Sequence, residues 1–218
     1  MSPLERAEAA SAALKVFPLP SAVLFPASAL PLHIFEERYR QMVDDALQTD
    51  QVIAIAALQP GWEAGYYERP TLESICCAGV LSWHEALEDG RFNIVLHGAV
   101  RMRVLTELPT THLYREVRAE PLLDPPYAGP EEEQVRQAVL ELSARIPTQV
   151  GEKLLQGAMR EKGGALADVI AATVVSDVGR RQQLLCELDP RRRLQAVLGE
   201  LGALIARLAP RRPKGPLN

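Results

Sequence analysis

Residues 91–108 read RFNIVLHGAVRMRVLTEL and carry a strand pattern on which the rest of the chain can be placed. Apolar side chains recur at every second position on both sides of Gly98, as they do along a half-buried strand. These positions are Phe92, Ile94, Leu96, Val100, Met102 and Val104. An isolated glycine inside a strand is typical of a bulge or a sharp bend, which is how small barrels turn corners. The pattern therefore predicts one long strand that bends at Gly98.

Further strand-like stretches surround this one in the first half of the chain. The Asp89-Gly90 pair predicts a hairpin turn that joins it to SICCAGVLSWHEAL, residues 74–87. The continuous apolar run QVIAIAAL, residues 51–58, predicts a strand buried on both faces. Four prolines between residues 18 and 31 limit that region to short extended segments, because proline cannot donate to a sheet. Tyr114 to Glu120 gives one more strand.

One amphipathic helix interrupts these strands. The stretch FEERYRQMVDDALQ places apolar residues at helical spacing, and Glu36 and Glu37 suit the positive end of a helix dipole. The predicted buried stripe consists of Phe35, Tyr39, Met42, Val43, Ala46 and Leu47.

The second half of the chain has helical periodicity throughout. Helices are predicted over EEEQVRQAVLELSARI, over GALADVIAATVV, over GRRQQLLCEL and after Asp189, where Asp189 is the N-cap and Pro190 the first helical residue. The sequence thus predicts an α+β fold. We expect a flexible N-terminal tail of residues 1–14, with a weak helix over residues 1–13 as the alternative, a β-rich subdomain of residues 15–123, a helical subdomain of residues 130–208, and a disordered basic tail of residues 209–218.

Composition excludes several classes of protein. The formal net charge of −4 argues against a protein whose main role is to wrap nucleic acid. The N-terminus does not resemble a signal peptide, and no apolar run reaches the roughly 18 residues of a membrane span. Three cysteines are too few for a disulfide framework, so we expect free thiols and a cytoplasmic location.

The motifs of common catalytic and metal sites do not occur in the sequence. No GxxxxGK[ST] phosphate loop and no GxSxG nucleophile turn is present. His84-Glu85 begins a zinc-protease pattern, but Glu88 stands where the second histidine belongs. The carboxylate groups Asp44-Asp45 and Glu131–Glu133 are best interpreted as solvated surface or as complements to a helix dipole. We therefore predict no catalytic residue, no metal site and no cofactor.

Two features depart from an ordinary surface. Trp62, Tyr66 and Tyr67 lie in the loop QPGWEAGYYERP and form the candidate binding site, either as a lid on the barrel or as displayed anchors. Arg191, Arg192 and Arg193 open the last helix, where positive charge opposes the dipole. They could bind an acidic partner, but pairing with Glu187 or with the acidic residues 131–133 is the favoured interpretation.

Residues 17–47, FPLPSAVLFPASALPLHIFEERYRQMVDDAL, resemble the N-terminal substrate-binding domain of Lon proteases. The hairpin DGRFNIVLHGAVRMRV resembles the family's hairpin pattern through Asp89, Gly90, Arg91, Gly98, Arg101 and Arg103. The resemblance spans residues 15–208. It implies a PUA-like β pseudo-barrel with one inserted helix, followed by a C-terminal helical bundle. It also implies a partner that is an unfolded or tagged polypeptide, and we expect the chain to lack the ATPase and protease domains of full Lon enzymes.

Two other functions stay open. The chain could be an adaptor or modulator of an ATP-dependent protease. It could also bind nucleic acid, since PUA-like barrels occur in RNA-modifying proteins, but its acidity and the lack of a basic stripe with interleaved aromatics disfavour this.

Overall fold

The computed structural model describes residues 1–65, 69–109 and 111–209. Within these residues the chain forms six strands in one sheet, of order β2-β5-β4-β3-β1-β6. Their bounds are Leu14–Pro18 for β1, Ala29–Ile34 for β2, Val52–Ala56 for β3, Ile75–Ala86 for β4, Phe92–Glu107 for β5 and Arg115–Leu122 for β6. Only the β1–β3 pair among them is parallel.

The long strand β5 pairs with three other strands. Its first half lies between β2 and β4, and its second half lies between β4 and β6. Because β6 also pairs with β1, the strands β5, β4, β3, β1 and β6 close into a ring, and β2 is left at the edge of the sheet. Strands and helices together confirm the α+β class, while the PUA-like description stays a prediction.

The predicted bend at Gly98 is confirmed. The pairing register of β4 and β5 shifts between Ala78 and Gly79, so that Ala99 is the extra residue of a bulge. A Cβ atom on Gly98 would lie 2.0 Å from the carbonyl oxygen of Phe25, which only a glycine avoids. The bulge lets the turn before β2 pack directly on β5, and it reorients the second half of the strand.

Seven α-helices occur in the described residues. Their bounds are Pro3–Ala10 for α1, Glu37–Gln48 for α2, Pro130–Ser143 for α3, Thr148–Arg160 for α4, Gly163–Val174 for α5, Val178–Cys186 for α6 and Pro190–Leu208 for α7. The predicted cap of the last helix is confirmed, since the Asp189 side chain accepts a hydrogen bond from the Arg191 N–H at 2.9 Å. Helix α4 was not predicted.

Two local expectations differ from the structure. Residues 1–14 do not form a flexible tail, because Ser2 and Glu5 make a capping box for α1 and the helix buries Ala7 and Ala10 against the sheet. Phe35 is not part of the buried stripe of α2, because the helix begins only at Glu37. Residues 210–218, on which most of the predicted disordered tail falls, lie outside the described residues.

The hydrophobic interior consists of two clusters. All five ring strands contribute to one of them, the ring core, which therefore fills the inside of the ring, and α1 joins it. The other, the main core, joins strand residues to α2 and to the C-terminal helices. It includes Phe17 and Ile55 from the strands together with Leu166 and Leu201 from the helices. The main core thus contains residues from both predicted subdomains, 15–123 and 130–208, and the boundary between them stays a prediction.

A buried ion network ties β5 to the helices. Arg101 on β5 donates to both carboxylate oxygens of Asp168 on α5, at 2.8 and 2.6 Å, and to the Leu185 carbonyl oxygen at 2.8 Å. Arg193 on α7 lies 3.3 Å from Asp168 and also pairs with Asp124. Burial disfavours the Arg101 charge, but the charge and hydrogen bonds of Asp168 outweigh it and raise the pKa of Arg101.

Candidate functional site

The predicted binding loop is anchored at its base. The Gln59 N–H donates to the Thr71 carbonyl oxygen at 2.9 Å, and Arg115 donates to the Pro70 carbonyl oxygen at 2.7 Å. Trp62 is half-buried and packs against the ring core, as a lid residue would. Tyr66 and Tyr67 lie outside the described residues, so the loop stays a prediction as a binding site.

The arginines at the start of α7 are paired rather than displayed. Arg191 lies 2.7 Å from Glu131, and Arg192 lies 3.7 Å from Asp189 and 4.0 Å from Glu187. Together with the buried contacts of Arg193, these distances confirm the favoured interpretation, pairing with Glu187 and with the acidic start of α3.

Glu131 and Glu132 are buried and are therefore not solvated surface, but their position in the first turn of α3 agrees with the other interpretation, a complement to the helix dipole. The Tyr127 hydroxyl donates to Glu131, and Arg191 and Gln195 donate to the same carboxylate. The hydrogen bond from Tyr127, followed by that from Arg191, lowers the pKa of Glu131 to about 2. The carboxylate links α3 to α7 and is occupied by these partners.

The structure offers no assembled metal site in the part of the chain it describes. No three side chains among the described His, Cys, Asp and Glu residues are placed to hold a metal ion. His84 is exposed on β4, and the thiols of Cys76 and Cys77 are buried, which raises the pKa of both. None of the described helices is both long and apolar enough to cross a membrane.

Among the described residues, the two large aromatic side chains that are most exposed, Trp83 and Phe35, lie on one surface, the outer face, which is the exposed side of β2, β5 and β4. Pro31, Val95 and Trp83 form one cross-strand row of this face. His33, Asn93 and Glu85 form the next row. Phe35 follows β2 and stacks on His33, with ring centroids 6.2 Å apart.

A bulge turns Trp83 toward the outer face. The β4–β5 register shifts between Leu81 and Trp83, so that Ser82 is inserted in β4. Leu81 is buried, and strict alternation would point Trp83 inward as well. The extra residue reverses this, and Trp83 is 51% exposed, while Phe35 is 62% exposed. Two large aromatic side chains are thus exposed on the outer face of the sheet.

Hydrogen bonds fix the polar row beside them. His33 Nδ1 lies 2.7 Å from Asn93 Oδ1, and the Asn93 amide donates to Glu85 at 2.9 Å. Arg91 Nη1 lies 3.2 Å from His33 Nε2. Because the guanidinium can only donate, His33 Nε2 is the acceptor of this contact, which leaves Nδ1 to donate to Asn93 Oδ1. The outer face therefore carries Trp83 and Phe35 on opposite sides of a hydrogen-bonded polar row.

A cleft of about 430 Å³ adjoins the outer face at the start of β2; we call it the edge groove. One wall is formed by Ala27, Ala29 and His97, and the other mainly by residues of α4. The α4 wall presents Lys153 and Arg160, of which Arg160 pairs with Glu161 at 2.8 Å. The backbone of Ala27 has φ 59°, a left-handed conformation that is strained for a residue with a Cβ atom.

Comparison with known proteins assigns this fold to a family. The family described as "ATP-dependent protease La (LON) substrate-binding domain" matches residues 13–202. The chain therefore belongs to the LON substrate-binding domain family. This confirms the resemblance that the motifs of residues 17–47 and of the β4–β5 hairpin indicate.

The relatives and solved structures agree with this family. Lon protease of Geobacter metallireducens is 30% identical over 195 residues, which cover 84% of this chain and 23% of that protein. Lon protease of Desulfosudis oleivorans is 24% identical, with coverages of 85% and 23%. The chain thus spans about a quarter of the length of the curated relatives it matches.

Two solved structures share the fold. A Lon N-terminal domain protein from Xanthomonas campestris aligns with TM-score 0.63 and 23% identity, covering 86% of this chain and 97% of that one. The N-terminal domain of Mycobacterium avium complex Lon protease aligns with TM-score 0.67 and 13% identity, covering 87% and 98%.

Sequence reasoning did not identify the outer face. It places Phe35 in the buried stripe of a helix and Trp83 only within the predicted strand of residues 74–87. A usable signal was present, since Trp83 lies among polar residues at the end of an otherwise apolar strand. The bulge that turns it outward depends on pairing with β5 and is not visible in β4 alone.

Proposed function

We propose that this chain is a non-enzymatic module that binds unfolded or tagged polypeptide on its outer face. The observation that carries the proposal is the exposure of Trp83 and Phe35 on the same face of the sheet. Aromatic anchors provide much of the energy of protein interfaces, and these two have surface left to bury. Membership in the LON substrate-binding domain family supports a polypeptide ligand. The proposal places the module in the cytoplasm, where its free thiols stay reduced.

Binding of a labelled, carboxymethylated unfolded protein, followed by fluorescence anisotropy, tests this proposal. Covering the exposed half of Trp83 would remove roughly 100 Å² of apolar surface from water, worth up to about 2.5 kcal/mol. We therefore expect Trp83→Ser and Phe35→Ser each to weaken binding roughly tenfold or more.

Leu140→Ser is the matched control, because Leu140 is similarly exposed on α3, outside the outer face. A variant with Tyr66→Ser and Tyr67→Ser tests the loop. If only the loop variant lost affinity, the site would move from the outer face to the loop. If no unfolded protein bound above background, we would abandon polypeptide binding altogether.

A second candidate function is delivery of bound segments to an ATP-dependent protease. The family match favours it, because the matching relatives are Lon proteases in which this region is a quarter of the chain. Adding the protein to a degradation assay with a purified ATP-dependent protease should then change the rate for at least one substrate, and Trp83→Ser should abolish the change. Unchanged rates across several substrates would argue against delivery.

A further inference from the structure

The edge strand β2 presents unpaired backbone groups along its outer edge. The Gly98 N–H donates to the Ser28 carbonyl oxygen at 2.8 Å, which fixes the hydrogen-bonded positions of the β2–β5 ladder. Leu30, Leu32 and Ile34 therefore bond to β5, and the alternate residues Ala29, Pro31 and His33 point their backbone groups away from it. Within the described part of the chain, no other strand pairs with this edge.

This edge lacks most of the devices that protect edge strands. The residues of β2, ALPLHI, include no Lys, Arg, Asp or Glu, and the strand has no bulge against β5. Pro31 removes one N–H, so the edge offers carbonyl oxygens at Ala29, Pro31 and His33 but N–H donors only at Ala29 and His33. Such a row is complementary to another extended backbone.

The edge groove adjoins the first residue of this edge, Ala29, and its lining includes two cations, Lys153 and Arg160, and one carboxylate, Glu161. Arg160 is offset by its pair with Glu161, whereas Lys153 is exposed and forms no ion pair with any described residue. On the strand side of the groove, the His97 side chain can donate or accept a hydrogen bond. A ligand segment that binds between β2 and α4 and carries an acidic side chain near Lys153 would therefore complement the positive charge of this lysine.

We propose that the ligand is an extended polypeptide segment with an acidic side chain, which adds as a strand to the outer edge of β2, between β2 and α4. This deepens the proposed function, on which it rests, by naming the mode of recognition and the class of segment. Ala29 to His33 can pair with about five residues of ligand, a length of roughly 17 Å. On the outer-face side, alternate ligand side chains then lie beside Pro31 and Phe35, whereas Trp83 on β4 lies two strands away from β2 and contacts another part of the polypeptide.

A matched pair of variants at His33 tests the backbone pairing. His33→Ala removes the side chain and keeps the N–H, while His33→Pro removes both and leaves the ladder to β5 intact. The probe is a labelled peptide of about eight residues that alternates valine with glutamate. We expect His33→Pro to bind it about fivefold more weakly than His33→Ala, as one lost hydrogen bond predicts. Thermal melts check that both variants are folded, and N-methylation of alternate peptide amides should weaken binding to the unmodified protein.

A charge reversal tests the helical wall. Lys153→Glu should weaken binding of the glutamate peptide about tenfold and should strengthen binding of the same peptide with lysine in place of glutamate. Arg118→Glu is the control, because Arg118 is exposed on β6 and does not line the edge groove. Its affinity for both peptides should match that of the unmodified protein within about twofold.

The outcomes separate the mode of binding from the function. If unfolded protein binds and depends on Trp83, but His33→Pro equals His33→Ala and N-methylation has no effect, strand addition is overturned and the proposed function stands. If Lys153→Glu leaves both peptides unchanged, the acidic class is overturned. If neither unfolded protein nor peptide binds, both proposals fall.

Discussion

Replacing Asp168 with asparagine removes the charge that Arg101 and Arg193 share, and keeps the shape of the side chain. All three side chains are at most 2% exposed, so water cannot take the place of the carboxylate. Removing one partner of a buried ion pair costs about 3–5 kcal/mol, and here Asp124 compensates only part of the charge left on Arg101 and Arg193. The amide oxygen of asparagine still accepts one hydrogen bond, so we expect a loss of about 3 kcal/mol in the free energy of unfolding.

Urea denaturation followed by circular dichroism measures this loss, and thermal melting should show a decrease in Tm of roughly 6–12 °C for a protein of this size. Asp44→Asn is the control, because Asp44 is exposed on α2 and its replacement should change stability by less than about 0.5 kcal/mol. A triple variant with Arg101→Met, Asp168→Leu and Arg193→Met should regain most of the loss, since well-packed apolar groups often replace a buried ion cluster without cost. A loss below about 1 kcal/mol for Asp168→Asn would refute the reasoning.

Two further predictions concern stability. Gly98→Ala should destabilise the protein by about 2–4 kcal/mol in urea denaturation, because the new Cβ atom would lie 2.0 Å from the Phe25 carbonyl oxygen. Gly202→Ala is the control and should be neutral or slightly stabilising, because its Cβ atom meets nothing within 4 Å. Equal losses of stability for the two variants would contradict the close approach at Gly98. The pKa of Glu131 is lowered from 4.5 to about 2, so its stabilising contribution is present above pH 4.5 and is lost as the pH falls toward 2. The stability difference between the unmodified protein and Glu131→Gln should shrink over that pH range, and a difference independent of pH would argue against the Tyr127 and Arg191 contacts as its source.

Local patterns were sufficient for most of the secondary structure. The bend at Gly98, the cap at Asp189 and the strand Val52–Ala56 could be predicted from neighbouring residues alone, and all three are found in the structure. Helix α4 was missed because Gly151 and Gly157 weaken its helical signal, although it buries Leu154 against the main core. Tertiary packing compensates for the glycines, since close contacts surround both positions.

The candidate site was less predictable than the fold. The loop with Trp62 stood out in the sequence because aromatic residues in a polar loop are unusual, whereas Trp83 looked like the end of a strand. Its exposure depends on the inserted Ser82, which is defined only by the register with β5. Arg101 and Arg193, the partners of Asp168, lie 67 and 25 residues away from it in the chain. The buried ion network of Asp168 could therefore not be predicted from the sequence of its own helix.

The sequence by itself determined the α+β class, the position of most elements and the family. The class and the elements follow from the spacing of apolar residues and from glycines and prolines with strict backbone preferences. The family follows from contiguous motifs. Only the tertiary structure decided which aromatic side chains are displayed, which charges are buried together and which strand edge is left open. Each of these depends on pairing between residues far apart in the chain, and a shift of one residue in a strand register reverses the face on which a side chain lies.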